Sequence, residues 1–175
     1  MSDAIWRAVR DKRAIRTFTD RPLERDHLRR ILDAGRRAGS SKNRQRWAFI
    51  VVEDRDRLRQ LSTAGPWAGH LAGAAVGIAL VTPDPRAPDA PLSIVWDLGG
   101  AAASMMLVAW ELGVGSVPAT IYEHDLVRGV LGYPDDHHCE YILSFGYPSD
   151  PEDLTRPPST GGRRSLDEIV HQERW

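Results

Sequence analysis

Ser93 to Leu112, SIVWDLGGAAASMMLVAWEL, decides how this chain folds. Between Asp97 and Glu111 it carries no charge, and it reads as one helix of about 30 Å at about 1.5 Å rise per residue. A helix apolar on every side predicts burial on every side. Gly99, Gly100, Ala101, Ala102, Ala103 and Ser104 let another backbone come close to its first half. Met105, Met106, Leu107, Val108 and Trp110 fill volume in its second. The uncharged run from Leu98 to Trp110 falls short of the ~18 residues of a membrane span, so the helix is expected as a central post and no membrane is expected as a partner. Gly113-Val114-Gly115-Ser116 predicts a tight turn at its end, and residues 117–122 leave it as an extended run.

Upstream of the post, residues 74–81 are apolar at nearly every position, which predicts a mid-sheet strand covered on both faces. The proline-rich stretch 83–91 between them can be neither helix nor ladder and is expected as a surface loop. Residues 47–52 predict a buried strand, 54–62 a helix with Leu58 and Leu61 inward, and 24–38 an amphipathic helix stopped by Gly39. In the turn-rich link 65–70, ordinary packing is the expected role of Trp67 and His70, with pocket walls as the alternative. A first helix, 4–10, capped by Ser2 or Asp3, presents Ile5, Trp6 and Val9 as a docking face. Downstream, residues 125–131 predict a short helix and 139–146 a strand. Residues 147–162 form a proline- and glycine-rich arm, and a last helix follows Ser165, with Glu168 placed to complete a capping box.

The chain has 175 residues, enough for one domain that buries about 70% of its unfolded surface. With 23 basic and 24 acidic residues the formal charge is −1, which favours neither nucleic acid nor an anionic membrane. The one cysteine, Cys139, excludes an internal disulfide and any multi-cysteine metal centre, and a cytoplasmic location fits. The sequence His137-His138-Cys139 offers ligand types, but adjacent strand residues point to opposite faces and no spaced partner completes a set, so no metal is expected.

Two polar stretches carry candidate chemistry. Residues 12–18 place three cations in five residues, Lys12, Arg13 and Arg16, either a solvated surface or a clamp for phosphate oxygens. Ser40-Ser41-Lys42-Asn43-Arg44-Gln45-Arg46-Trp47 is either a capped turn or a set of amides and hydroxyls for a ligand with many donors and acceptors. Spacing alone does not separate these readings.

The order helix, KRAIR (12–16), helix, SSKNRQRW (40–47), strand, small-residue helix, LGVGSVPATIY (112–122), LGYP (131–134), strand ending in FGYP (145–148) and terminal RRSLDEIVHQERW (163–175) resembles the flavin-dependent nitroreductase family. The resemblance spans nearly the whole chain. It implies an α+β fold over residues 1–175, with a mostly antiparallel central sheet flanked by helices and a long buried central helix. It also implies an intertwined homodimer with one FMN in each of two interfacial clefts. Lys12, Arg13 and Arg16 match the family's basic motif for the FMN phosphate and ring edge, Ala14 holds a cofactor-binding position between them, and Arg163 or Arg164 completes the phosphate site. Ser40, Ser41, Asn43 and Gln45 match the polar loop that reaches flavin from the other subunit. Pro118, Ala119, Thr120 and Ile121 match the segment whose backbone lies by the isoalloxazine.

No catalytic side chain is implied, because flavin N5 carries the chemistry: NADH or NADPH gives hydride, and a nitroaromatic, quinone or similar small acceptor takes the electrons in a ping-pong cycle. A flavin-binding protein without turnover, or flavin-fragmenting or deazaflavin-related chemistry, are the alternatives on the same scaffold. The chain departs from the pattern at Ala14, where serine is common, at Gly39 and Arg46, which replace frequent prolines, and at Thr120.

Overall fold

The computed structural model describes residues 3–157 and 162–175, so the expected cap at Ser2 and the middle of the arm fall outside it. Four strands form one antiparallel sheet in the order β1-β2-β4-β3: β1 (Ala48–Val52), β2 (Val76–Pro83), β4 (His137–Gly146) and β3 (Gly115–Thr120). Residues of β2 are apolar in succession because both faces are covered. Val76, Ile78 and Leu80 meet Leu28, Ile31, Met105 and Phe145 on one side. Ala79 and Val81 meet Leu58, Leu61, Leu71 and Ile142 on the other. Among the described residues five α-helices surround the sheet: α1 (Ala4–Asp11), α2 (Arg25–Arg36), α3 (Arg55–Leu61), α4 (Ser93–Glu111) and α5 (His124–Leu131). The helix α3 is capped by Asp54, which accepts from the Arg57 N–H at 2.8 Å.

The central helix ends in a Schellman motif. Gly113 takes φ +72°, its N–H reaches the Trp110 carbonyl, and the Val114 N–H reaches Ala109 at 2.8 Å. Gly132, at φ +70°, ends α5 in the same left-handed conformation.

Four expectations need correction. First, α4 is not buried all round. Ile94, Asp97, Leu98, Ala101, Met105 and Ala109 face α2 and the sheet, while Val95 and Trp96 are 59% and 84% exposed and Gly99, Gly100 and Ala103 are open. One chain supplies partners for one face only. By length and composition α4 would also pass for a membrane-crossing helix, at 19 residues and mean hydropathy 1.3, yet it is the helix that closes the core over α2. Second, β1 is an edge strand in which only Val52 is buried, and Trp47 lies outside it. Third, α2 ends at Arg36, before Gly39, which has no left-handed φ to stop it. Fourth, the expected last helix is a single 3-10 turn, Leu166–Glu168, with the Glu168 carboxylate accepting from the Ser165 N–H at 2.8 Å. The docking face of α1 stays uncovered within the chain, with Ile5 at 81% exposure.

Candidate functional site

Strand β3 has an open edge, and the first basic segment is seated on it. The Ile15 N–H donates to the Ser116 carbonyl at 3.1 Å, and Ala14 pairs with Ser116 as a one-residue parallel bridge. Ile15 itself is buried against Gly115, where a methyl would stand 2.8 Å from the Ile15 Cβ. Further along the strand Pro118 is exposed, as suits a residue with no N–H to give to a neighbouring strand. Ala119 and Ile121 point into the core and Thr120 is half-buried.

With Ile15 fixed, the cations around it divide. Arg13 spends its donors on backbone carbonyls, of Arg10 at 2.9 Å and Arg156 at 3.2 Å, and so braces α1 against the arm. Lys12 is half-buried, and burial, followed by the nearby charge of Arg163, holds its ammonium below the ordinary range. The two ends of the chain therefore meet. Among the described residues none of Lys12, Arg16, Arg163 and Arg164 has a carboxylate partner, whereas most other arginines do. Lys12 and Arg163, close together without a counter-ion, make a candidate anion site, and Arg16 lies near His70 on the same basic segment. Arg163 is the tail arginine coupled to Lys12; Arg164 is exposed beside it.

His70 completes this corner. It stands in the 3-10 turn Gly69–Gly73, its Nδ1 lies 2.7 Å from the hydroxyl of fully buried Ser144, and its buried Nε2 has no hydrogen-bond partner. Burial, then the positive charge of Arg16, push the imidazole below its ordinary value, and the nearby Pro118 carbonyl pulls weakly the other way. Below the ordinary value of about 6.5 the unfolded chain takes up a proton that the folded state resists. Stability from this group is thus complete above pH ~6.5 and is lost as pH falls through the depressed folded value. Urea unfolding from pH 8 to 5 is expected to show a shallower loss for His70→Gln than for the wild type; equal slopes would contradict this origin.

The second polar stretch takes a strained form. Lys42, Asn43 and Gln45 have φ of 52°, 53° and 48°, a left-handed conformation that suits asparagine and costs the other two about 1 kcal/mol or more each. Buried Asp97, on α4, anchors this loop by accepting the Ser41 N–H at 3.0 Å. The Ser40 hydroxyl accepts the Gln45 N–H, and the Gln45 amide donates to Asn43 Oδ1, both at 3.0 Å. Ser41, Asn43 and Gln45 are exposed, and the loop's hydrogen bonds join it to α4 and to itself, not to Lys12 or Arg16. Among the described residues no hydrogen bond joins the two halves of the expected site within one chain.

Asp97 was missed by spacing arguments, though a lone acid opening an apolar helix is the signal that could have found it. Asp97→Ala is expected to loosen the loop, seen as faster amide exchange at residues 41–45, at a cost of about 1–3 kcal/mol. Unchanged exchange would mean the anchor is dispensable. A groove of about 1190 Å³ lies elsewhere, between α2 and β1, and is lined by Arg25, Arg29, Trp47 and Phe49, with Gln45 also contributing.

The comparisons with known proteins point one way. The model described as the nitroreductase family matches residues 9–68 and 62–147. An Archaeoglobus fulgidus protein named NADH dehydrogenase/NAD(P)H nitroreductase is 32% identical over 169 residues, covering 94% of each chain. A solved nitroreductase family protein from Clostridium difficile superposes with a TM-score of 0.81 at 29% identity over the full length of both chains. An FMN-dependent nitroreductase from the same species superposes with 0.77 at 28% identity, over 96% of this chain and 98% of the other.

Proposed function

Since the chain belongs to the nitroreductase family, we propose that it is an FMN-dependent oxidoreductase that takes electrons from NADH or NADPH and passes them to nitroaromatic, quinone or similar small-molecule acceptors. The observation that carries this reading is the set of cations at the edge of β3, Lys12, Arg16 and Arg163, left without a carboxylate and suited to a phosphate that brings nearly two negative charges. The donor chemistry fits FMN: cations for its phosphate, the unpaired Nε2 of His70 near Pro118, and exposed Pro118 with half-buried Thr120 on β3. When bound, FMN supplies a ring that accepts hydride and releases electrons.

The protein's part is position and charge. Lys12, Arg16 and Arg163 hold the phosphate, while Ala14 leaves room without adding a hydroxyl. Pro118, Ala119, Thr120 and Ile121 present the β3 edge to the ring. Arg13 steadies the basic segment, and Arg164 adds to the field. Ser40, Ser41, Asn43 and Gln45 reach the flavin of the partner subunit, in keeping with the lack of any hydrogen bond from this loop to Lys12 or Arg16 within one chain. No catalytic side chain is required. Cys139, free and buried with its thiol pushed up to about 12 by burial, is not a nucleophile.

The unit is a homodimer in which residues 1–175 of each chain act as one domain in the cytoplasm. Support comes from apolar side chains left open on three elements: Ile5, Trp6 and Val9 of α1, Val95 and Trp96 of α4, and Leu166, Ile169, Val170 and Trp175 of the tail. Purified protein reconstituted with FMN and titrated anaerobically with NADH and then NADPH tests the reading. Loss of flavin absorbance, restored by a quinone or nitroaromatic, is expected. A protein that stays colourless in FMN contradicts the cofactor assignment; bound flavin that neither nicotinamide reduces contradicts the oxidoreductase and leaves a carrier.

A further inference from the structure

We propose that His124, His138 and Glu140 form a site for a divalent transition metal of the zinc type, fastening the start of α5 to β4. His138 and Glu140 are two residues apart on β4, so the alternation of the strand puts them on one face, with Nε2 of His138 2.8 Å from a Glu140 carboxylate oxygen. His124, the first residue of α5, brings its ring to the ring of His138 with centroids 4.5 Å apart. One ligand atom from each of the three lies within 4.8 Å of the others. Tetrahedral zinc with bonds of ~2.0–2.2 Å needs ligand atoms roughly 3.3–3.6 Å apart, a contraction of about 1 Å for the widest pair and a slight opening of the His138–Glu140 pair.

A second observation points to a ligand here. Nδ1 of His124 is buried and has no hydrogen-bond partner, a desolvation cost that coordination through it would relieve. His138 is 2% exposed and supplies a dry wall, while the Glu140 side chain is 43% exposed and gives entry and room for a water in the fourth position. Zinc sites of two imidazoles, one carboxylate and a water are chemically ordinary. Strand alternation excludes a set made from 137–139; the spaced partner comes instead from the helix that follows β3.

Arg86 fixes where the proton sits. Its Nη2 is 3.0 Å from Nδ1 of His138, and a guanidinium only donates, so Nδ1 accepts and Nε2 carries the hydrogen shared with Glu140. A metal on Nε2 moves that hydrogen to Nδ1, with no net loss of protons, and there it faces Arg86. Asp84, which accepts from Arg86 at 3.0 and 3.1 Å, is the nearby carboxylate able to receive it once Arg86 swings out to solvent. Arg86 therefore opposes the metal. The Ile121 N–H bonds the Glu140 carbonyl at 2.9 Å, so a bound ion would brace the segment joining β3 to α5.

Untagged protein, chelator-treated and titrated with Co²⁺ alone, is expected to bind one equivalent with visible d–d absorption of a low-coordinate site. His124→Ala and Glu140→Gln should each weaken binding by about 10-fold or more, and Arg86→Ala should tighten it. Zn²⁺ should raise the melting temperature of the wild type and not of His124→Ala. Absence of stoichiometric binding, binding that His124→Ala leaves unchanged, or weakening by Arg86→Ala would each overturn the site. Buried His138 is left intact so that folding does not confuse the result.

Discussion

Arg16→Ala is expected to raise the dissociation constant for FMN by about 10- to 100-fold while leaving the unfolding of the apoprotein nearly unchanged. A hydrogen bond to a charged group is worth about 1.5–3 kcal/mol, and every 1.4 kcal/mol is a factor of ten. Arg16 is exposed and makes no ion pair among the described residues, so its removal takes away no contact that the folded chain itself needs. Flavin fluorescence quenching measures the loss, and unfolding by urea measures the fold. An unchanged affinity would remove Arg16 from the phosphate site. Arg13→Ala should act differently, because its bonds to the Arg10 and Arg156 carbonyls brace α1 and the arm.

Gly115→Ala is expected to lower stability by about 1–3 kcal/mol, and by the same displacement to weaken FMN retention. The added methyl would stand 2.8 Å from both Cβ and Cγ2 of Ile15. That is the branch point of a stiff side chain, not a tip that can swing aside. Relief requires the backbone of residues 14–16 to lift from β3, which breaks the Ile15–Ser116 hydrogen bond and moves Arg16 with it. For a domain near this size the melting temperature should fall by about 2–4 °C per kcal/mol. A variant as stable as the wild type that holds FMN equally well would show that this contact does not seat the basic segment.

Much of the fold was legible because particular patterns have one physical solution. Unbroken apolar character over 76–81 requires cover on two faces, and β2 has it. Gly113 and Gly132 stand where helices need a left-handed residue, and both helices end there. Other features depend on what lies opposite, which local sequence does not encode. An apolar run such as 47–52 reads alike in mid-sheet and at an edge, and β1 is an edge. The uniform apolar surface of α4 states that every face wants a neighbour, but not that one chain covers only half of them.

The candidate site divides in the same way. The basic segment and the arginine pair stand out as charge, yet the meeting of Lys12 with Arg163 joins the two ends of the chain, and no periodicity reports it. The bond from Asp97 to Ser41 spans 56 positions, and that from His70 to Ser144 spans 74. Both became visible only once the sheet and α4 were in place.

The central claim is that Lys12, Arg16 and Arg163 gather at the edge of β3 to hold one phosphate. Titration of the apoprotein with FMN and with riboflavin, which differ by that phosphate alone, tests it most directly. FMN should bind tighter by about 100-fold or more at low salt, with the gap narrowing as ionic strength rises. Equal affinities for the two would contradict it.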